Sequence, residues 1–351
     1  MIYLKSDGQR GMRVLLIKTS SLGDILHVLP ALSDAAAAIP GIRFDWVVEE
    51  AFAEVPSWHP AVDRVIPVAI RRWRKNGLRA LLSGEWGGFR KQLRMEEYDQ
   101  VLDAQGLIKS ALVSWMARGE RVGLDADSAR EPLASRFYDR SIAVAKGEHA
   151  VIRLRRLFAE ALGYPMPKSP ADSAIRSQKL VAPDHSPSIL FVHGTTWVTK
   201  HWPDLYWIAL AEIVNRAGYG VVLPWGSEEE RDRAERIAAG HQATILPRCS
   251  LTELVGYFRQ VDAMVCVDSG LAHLGAALDI PSITLYGATN PGLIGTLGAQ
   301  QHHLSSDFAC APCLKRLCHY PEKGEVEPVC YQQLSPQVVW QRVTQLINIS
   351  Y

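Results

Sequence analysis

The chain reads as an α/β protein built from two doubly wound parallel sheets. Three observations predict this. Short, continuous apolar runs recur along the sequence, as they do in parallel strands buried on both faces. Helical or loop stretches separate these runs, so that strand and helix alternate. One proline-rich interruption, Gly163–Pro187, splits the alternation into two series and has the composition of a linker.

Residues 1–11, MIYLKSDGQRG, precede the first strand and read as an unstructured extension or an upstream start. Val14–Lys18 (VLLIK) is the first strand, Thr19–Asp24 its loop, and a helix runs through Ile25, Leu26, Leu29, Leu32 and the alanines to Ile39. Phe44–Val48, Val65–Ile70, Gln100–Asp103 and Ser141–Val144 read as further strands. The Arg- and Trp-bearing stretch Leu78–Met95 is helix or loop, and Val151–Leu162 is a helix. The second series runs Ile189–His193 strand, Asp204–Ala217 helix, Val221–Trp225 strand, Glu228–Ala239 helix, then strand Thr244–Pro247 and helix Leu251–Gln260. Strand Ala263–Val267, the helix that follows it and strand Ser282–Tyr286 complete it. The expected division is an N-terminal domain over 12–165, a C-terminal domain over 188–335, and a final helix over 336–351. That helix carries Val338, Val339, Val343, Leu346 and Ile347 and is expected to pack back on the N-terminal half. Ligands of open parallel sheets bind beyond the carboxyl ends of the strands, so both halves are expected to face a shared cleft.

Bulk properties narrow the function. The 351 residues are 48% hydrophobic and 21% charged, which describes a globular chain long enough for two cores. A net charge of +1 argues against a nucleic-acid polycation. No apolar run reaches transmembrane length, and the first residues lack the apolar core of a signal peptide. The expected location is cytoplasmic. Six cysteines, four of them near the C-terminus, do not form the pattern of a secreted disulfide scaffold.

The stretch Val265–Leu278 (VCVDSGLAHLGAAL) is a strand–turn–helix junction, the place where α/β proteins hold anions. Asp268 is placed as an N-cap, Ser269 adds a hydroxyl, and Gly270 lets a phosphate approach the backbone. Leu271 follows in the same turn, and His273 brings a ring N–H to it. The loop after Ile189–His193 adds Thr195, Thr196 and Lys200, a set of hydroxyls and an ammonium that neutralises a leaving diphosphate without a metal. Glu228 and Glu230 follow the next strand; they suit ribose hydroxyls, or else cap the helix that starts there. In the N-terminal half, Asp24 lies at a helix start, where the dipole favours its charged form and its use as a proton acceptor; the competing reading is an N-cap. Arg71, Arg72, Arg74 and Lys75 put four cations within five residues, a solvated face or a seat for an acceptor bearing phosphates or carboxylates, which Arg130 would join. Cys310, Cys313, Cys318 and Cys330 are spaced C-x2-C-x4-C-x11-C, which fits either reduced thiols or a zinc set of uncommon spacing. Cys249 and Cys266 read as small core residues.

Taken together, Lys18-Thr19-Ser20-Ser21-Leu22-Gly23-Asp24 with Leu29-Pro30-Ala31-Leu32 resembles the opening of the bacterial lipopolysaccharide heptosyltransferases, glycosyltransferase family 9. Asp45–Glu50, the Arg71–Lys75 run, Asp103-Ala104-Gln105-Gly106, Arg130–Ser135, Lys200-His201-Trp202-Pro203 and Asp268–His273 resemble the same family, and its heptosyltransferase I branch most of all. The resemblance spans about Met12 to Gly292 and implies a GT-B fold, two Rossmann-like domains facing across a cleft. It implies inverting, metal-independent transfer of L-glycero-D-manno-heptose from ADP-heptose to Kdo of Kdo2-lipid A, with no cofactor. Asp24 then matches the base. Thr195, Thr196, Lys200, Ser269, Gly270 and His273 match donor-phosphate contacts, and the basic run matches an acceptor site. Peripheral contact with the cytoplasmic face of the inner membrane is implied, and no nucleic acid. Two alternatives stay open: a later-acting heptosyltransferase using a heptosylated core, and a non-catalytic nucleotide-sugar-binding protein. A Rossmann oxidoreductase would want G-x-G-x-x-G where this chain has TSSLGD.

Overall fold

A computed structural model describes residues 11–75, 83–175, 186–322 and 324–349. Residues 78–82 of the expected Leu78–Met95 stretch, 176–185 of the linker and 1–10 of the N-terminal extension lie outside the described residues. The chain divides into two units, Met1–Ala174 and Ile175–Tyr351.

The first unit holds β1 (Arg13–Ile17), β2 (Arg43–Glu49), β3 (Val62–Val68), β4 (Gln100–Asp103), β5 (Glu120–Leu124) and β6 (Arg140–Ile142). They form one sheet in the order β3-β2-β1-β4-β5-β6, every pair parallel. The second unit holds β7 (Ser188–Val192), β8 (Gly220–Leu223), β9 (Ala243–Ile245), β10 (Ala263–Val267), β11 (Ser282–Tyr286) and β12 (Gln301–Ser305). Its order is β12-β11-β10-β7-β8-β9, again all parallel. Val14–Ile17 and Ala263–Val267 are fully buried, the result expected of apolar strands covered by helices on both faces.

Strand order decides where a ligand can enter. In the first unit the order reverses between β1 and β4; in the second it reverses between β7 and β10. Flanking loops diverge at such a switch point and leave a crevice at the carboxyl edge. The carboxyl ends of β1, β4, β7 and β10, with the segments that follow them, carry Asp24, Asp103, Lys200 and Asp268.

The structure adds two strands that the sequence does not announce. β5 (ERVGL) and β12 (QHHLS) are short and rich in polar residues, so neither shows an apolar run. Val339, Val343, Leu346 and Ile347 of the final helix, Pro336–Ile349, lie in the core of the second unit with Val214, Ile283 and Leu285. Four such side chains contribute about 1.5–3 kcal/mol each on burial, and the Trp202 indole N–H donates to Leu334 O at 2.9 Å just ahead of the helix. That combination holds the tail to the unit that precedes it in sequence.

The first unit is fastened by one buried ion pair. Arg155, on helix Ala150–Leu162, donates through Nε to Asp34 Oδ2 at 2.6 Å and through Nη2 to Asp34 Oδ1 at 3.1 Å. Its Nη2 also donates to Ser169 O at 3.0 Å, so the pair joins two helices and the segment after them. Arg155→Ala leaves Asp34 buried without its partner and is expected to lower stability by about 3–5 kcal/mol, read as a urea midpoint.

Candidate active site

Asp24 sits in the first turn of the short helix Leu22–Leu26, whose N-cap is Ser21. The spacing S-x-x-D lets the capping box form: Ser21 N–H and Ser21 Oγ–H both donate to Asp24 Oδ2, at 2.8 and 2.7 Å. Asp24 is therefore not itself the N-cap. The carboxyl is partly exposed. Burial alone would raise its pKa, but the Lys18 ammonium, the Ser21 hydrogen bonds and His27 outweigh burial and hold it below the usual carboxylate value.

Lys18 ends the β1 run with its side chain 7% exposed, and its Nζ donates to Ala104 O at 3.0 Å. Burial pulls the Lys18 pKa down, while Asp24 and Asp103 oppose that shift. The backbone around it is fastened from both neighbouring strands. The Trp46 indole of β2 donates to Lys18 O at 3.0 Å, and Gln105 Oε1 accepts from Thr19 N and Ser20 N at 3.0 and 3.3 Å. Gln105 is placed by Asp103, whose Oδ1 accepts from the N–H groups of Gln105 and Gly106 at 2.8 and 3.3 Å. The Tyr138 hydroxyl donates to Asp103 Oδ2 at 2.7 Å. Lys18 went unassigned in the sequence; the available signal was a lysine closing a strand buried on both faces, where a cation needs a partner.

Arg71, Arg72, Arg74 and Lys75 lie on helix Ile70–Lys75 after β3. Arg72 is committed to two carboxylates, Glu50 Oε2 at 3.1 Å and Glu85 Oε2 at 2.8 Å. Arg71 N donates to Glu49 Oε1 at 2.9 Å, and its guanidinium stands 5.5 Å from the Phe52 ring centre. Arg74 and Lys75 are exposed. Arg71, Arg72 and Lys75 border a depression of ≈ 320 Å³ with Glu49, Glu50 and Ala51. Arg130 follows β5, four strands along the sheet from β3, and its charge acts on Lys18.

In the second unit, Asp268 is not the N-cap that the sequence led us to expect. Ser269 caps helix Gly270–Ala277, and the Asp268 carboxylate turns to Lys200 Nζ at 2.7 Å and the Thr289 hydroxyl at 2.5 Å. Thr195 Oγ1 donates to Asp268 O at 3.0 Å, joining the loops after β7 and β10. Asp268 thus aims Lys200, whose ammonium also lies 4.7 Å from the Trp197 ring centre. Ser269 Oγ is buried with no hydrogen-bond partner among the described residues, and it makes no cap bond. The first N–H groups of the helix, Gly270 and Leu271 among them, lack intrahelical partners. His273 is buried in the first turn, and Thr196 is exposed at the loop tip. Hydroxyl, ammonium and free N–H groups at one helix start make a seat for a diphosphate.

The two glutamates divide as follows. Glu230 completes a capping box, its Oε2 accepting from Gly226 N and Ser227 N at 2.7 and 3.3 Å. Its Oε1 faces Gly194 so closely that a Cβ there would stand at 2.3 Å, which is why the loop after β7 carries glycine. Glu228 is exposed and 3.6 Å from Arg231. His193 is fully buried against Trp207 and kept neutral by burial and by Arg233, which pull its pKa to about 3; it is part of the core. Among the described residues no three His, Cys, Asp or Glu side chains are placed to hold a metal ion, the four tail cysteines included. Cys266 is buried as expected, whereas Cys249 is partly exposed.

The family described as Glycosyltransferase family 9 (heptosyltransferase) matches residues 86–323. The chain is 56% identical to lipopolysaccharide heptosyltransferase 1 of Pseudomonas aeruginosa over 340 residues, covering 93% of this chain and 96% of that one. The solved E. coli heptosyltransferase WaaC with ADP superposes with a TM-score of 0.86 at 45% identity, covering 95% of this chain and 100% of that one. The same E. coli enzyme with ADP-2-deoxy-2-fluoro heptose gives 0.82 at 44%, covering 95% and 99%. The chain is therefore a glycosyltransferase of GT-B fold and belongs to glycosyltransferase family 9, the lipopolysaccharide heptosyltransferases.

Proposed function

We propose that this protein transfers L-glycero-D-manno-heptose from ADP-heptose to Kdo of Kdo2-lipid A, inverting the anomeric centre without a catalytic metal or cofactor. The observation that carries the reading is the division of labour between the two crevices. One offers the Asp24 carboxylate at a helix start, held in its charged form by Lys18 and Ser21, and the other offers Lys200, the Ser269 hydroxyl, unpartnered among the described residues, and a helix start. Asp24 Oδ1 takes the proton of an acceptor hydroxyl while that oxygen bonds to the anomeric carbon from the face opposite the diphosphate. The bond to the diphosphate breaks, and ADP leaves with the electron pair. Lys200, Ser269, the N–H groups of Gly270 and Leu271, and His273 take up the charge that develops on the departing phosphate. Thr195 shapes that loop, Thr196 stands at its rim, and Glu228 or Glu230 serves the ribose.

Arg71, Arg74 and Lys75, for whose side chains no glutamate partner is found among the described residues, serve anionic groups of the lipid acceptor. We place the enzyme at the cytoplasmic face of the inner membrane. No helix is long and apolar enough to cross a membrane among the described residues. Peripheral contact is supported by Leu112, Trp115 and Leu133, which are 45%, 61% and 53% exposed. Leu112 and Trp115 share a face of helix Ile108–Met116, which packs against the segment Pro132–Phe137 that bears Leu133.

The test is release of ADP from ADP-heptose in the presence of EDTA, comparing delipidated Kdo2-lipid A with a heptosylated core acceptor. Turnover with the Kdo acceptor alone is expected. Turnover with the heptosylated acceptor alone would move the enzyme one step later, and no ADP from either would overturn the catalytic reading.

A further inference from the structure

The diphosphate seat of the second unit is short of net positive charge. Lys200 is its cation, and the Asp268 carboxylate at 2.7 Å offsets that charge before any donor arrives. Each phosphate of a sugar diphosphate carries a negative charge. The leaving group gains another when its bond to the anomeric carbon breaks, because the electron pair stays on the phosphate oxygen. A seat that stabilises this change needs a cation not already spent on a carboxylate.

Such a cation stands beside Lys200. Arg316 lies between β12 and the final helix, beyond the stretch whose motifs resemble the family. Its guanidinium carbon is 5.4 Å from the Trp197 ring centre, and Lys200 Nζ is 4.7 Å from the same centre. The two charges are therefore no more than about 10 Å apart, within a Debye length at 0.1 M salt. Arg316 is exposed and has no carboxylate partner among the described residues. Like charges gathered at one ring repel each other, and an anion received between them makes the arrangement favourable.

The segment that delivers Arg316 is pinned to the loops that form the seat. Thr199 Oγ1, next to Lys200, donates to Lys315 O at 2.5 Å. Leu314 N donates to Ala288 O at 2.8 Å, next to Thr289, whose hydroxyl donates to Asp268. Tyr331, fully buried, donates to Lys200 O at 3.0 Å from the same C-terminal part of the chain. The two residues before Arg316 are thus fastened to the segments that hold Lys200 and Asp268. The buried Ser269 hydroxyl, without a partner among the described residues, is a second sign that this seat awaits oxygen atoms from outside.

We propose that Arg316 is a second phosphate-binding cation of the donor site, one that takes the diphosphate and the charge developing on it as it leaves. The inference rests on the donor half of the glycosyl-transfer reading and deepens it. Lys200, held by Asp268, orients the diphosphate, and Arg316 supplies the positive charge that the Lys200–Asp268 pair lacks. Its planar guanidinium offers paired N–H donors to two phosphate oxygens. Its exposure leaves the side chain free to move from the Trp197 ring onto the ligand.

Calorimetric titration of ADP and of adenosine into wild type, Arg316→Gln, Arg316→Lys and Lys315→Gln tests it, together with steady-state kinetics. Arg316→Gln is expected to weaken ADP binding by about tenfold, the scale of one charge-assisted hydrogen bond, and to leave adenosine binding unchanged. It should lower kcat with ADP-heptose and leave KM for the lipid acceptor alone, and Arg316→Lys should recover part of both losses. Lys315→Gln, on the same exposed segment, should behave as wild type. Unchanged ADP affinity in Arg316→Gln overturns the assignment. So does an equal loss for adenosine, which would make Arg316 a prop for the Trp197 loop, and so does an equal loss in Lys315→Gln, which would make the effect one of general surface charge. Failure of wild type itself to bind ADP would instead overturn the donor reading.

Discussion

Asp24→Asn is expected to lower turnover by about 10²–10⁴-fold, the range that a positioned general base contributes, while ADP affinity stays at the wild-type level. The substitution is a narrow one. The amide keeps the shape of the carboxylate, and its oxygen can still accept from Ser21 N–H and Ser21 Oγ–H, so helix Leu22–Leu26 keeps its cap. What disappears is the negative charge and the proton-accepting oxygen. Wild-type turnover by a variant that binds ADP normally would remove Asp24 from the mechanism. The pH profile supplies a second check. Because Lys18, Ser21 and His27 overcome the effect of burial, the base is formed below the ordinary value of 3.8, and the acid limb of kcat/KM lies beneath it. Protonation abolishes the active form, so activity falls as pH drops through the folded pKa and is flat above it. Lys18→Met removes the largest influence that lowers this pKa and is expected to move the acid limb to higher pH.

Lys200→Ala is expected to cost about 10²–10³-fold in turnover, the size of effect seen when one preorganised donor is taken from a developing oxyanion. It carries a second effect that must be separated from the first. Asp268 is 5% exposed and loses its cation at 2.7 Å, a change that destabilises by about 3–5 kcal/mol, towards the lower figure here because Thr289 still donates to the same oxygen. The double variant Lys200→Ala/Asp268→Asn no longer buries a carboxylate without a cation. Its urea midpoint is expected to recover most of the loss, and its turnover none. Recovery of both would mean that Lys200 acts only by holding Asp268 in place.

Much of this architecture is legible in the sequence, because the central strands of both sheets are buried on two faces and leave runs such as VLLIK and AMVCV. The strands that escaped notice are those whose residues have other work. In β5, Gly123 presses so closely on Tyr138 that a Cβ would stand 2.4 Å from that ring, and β12 is mostly polar. Within the sites, local chemistry was readable and distant pairing was not. Ser21 and Asp24 are three residues apart, and their capping spacing is visible. Lys18 meets Ala104 across 86 residues, and Asp34 meets Arg155 across 121. Asp268 was misassigned for the same reason: a turn aspartate suits an N-cap, and nothing nearby in the chain says that Lys200 will claim its charge. The tail helix shows apolar residues at helical spacing, a pattern that specifies burial without naming the surface that provides it.

The loop bearing Asp24 is tied at Lys18 by Trp46 from β2, and at Thr19 and Ser20 by Gln105 from beyond β4. The heritable module is therefore three strand ends and not one peptide. Transplanting Lys18–Asp24 into another scaffold without an indole and an amide at the neighbouring positions would carry the carboxylate across but not its aim. Drift at Trp46 or Gln105 would erode the chemistry as surely as change at Asp24 itself.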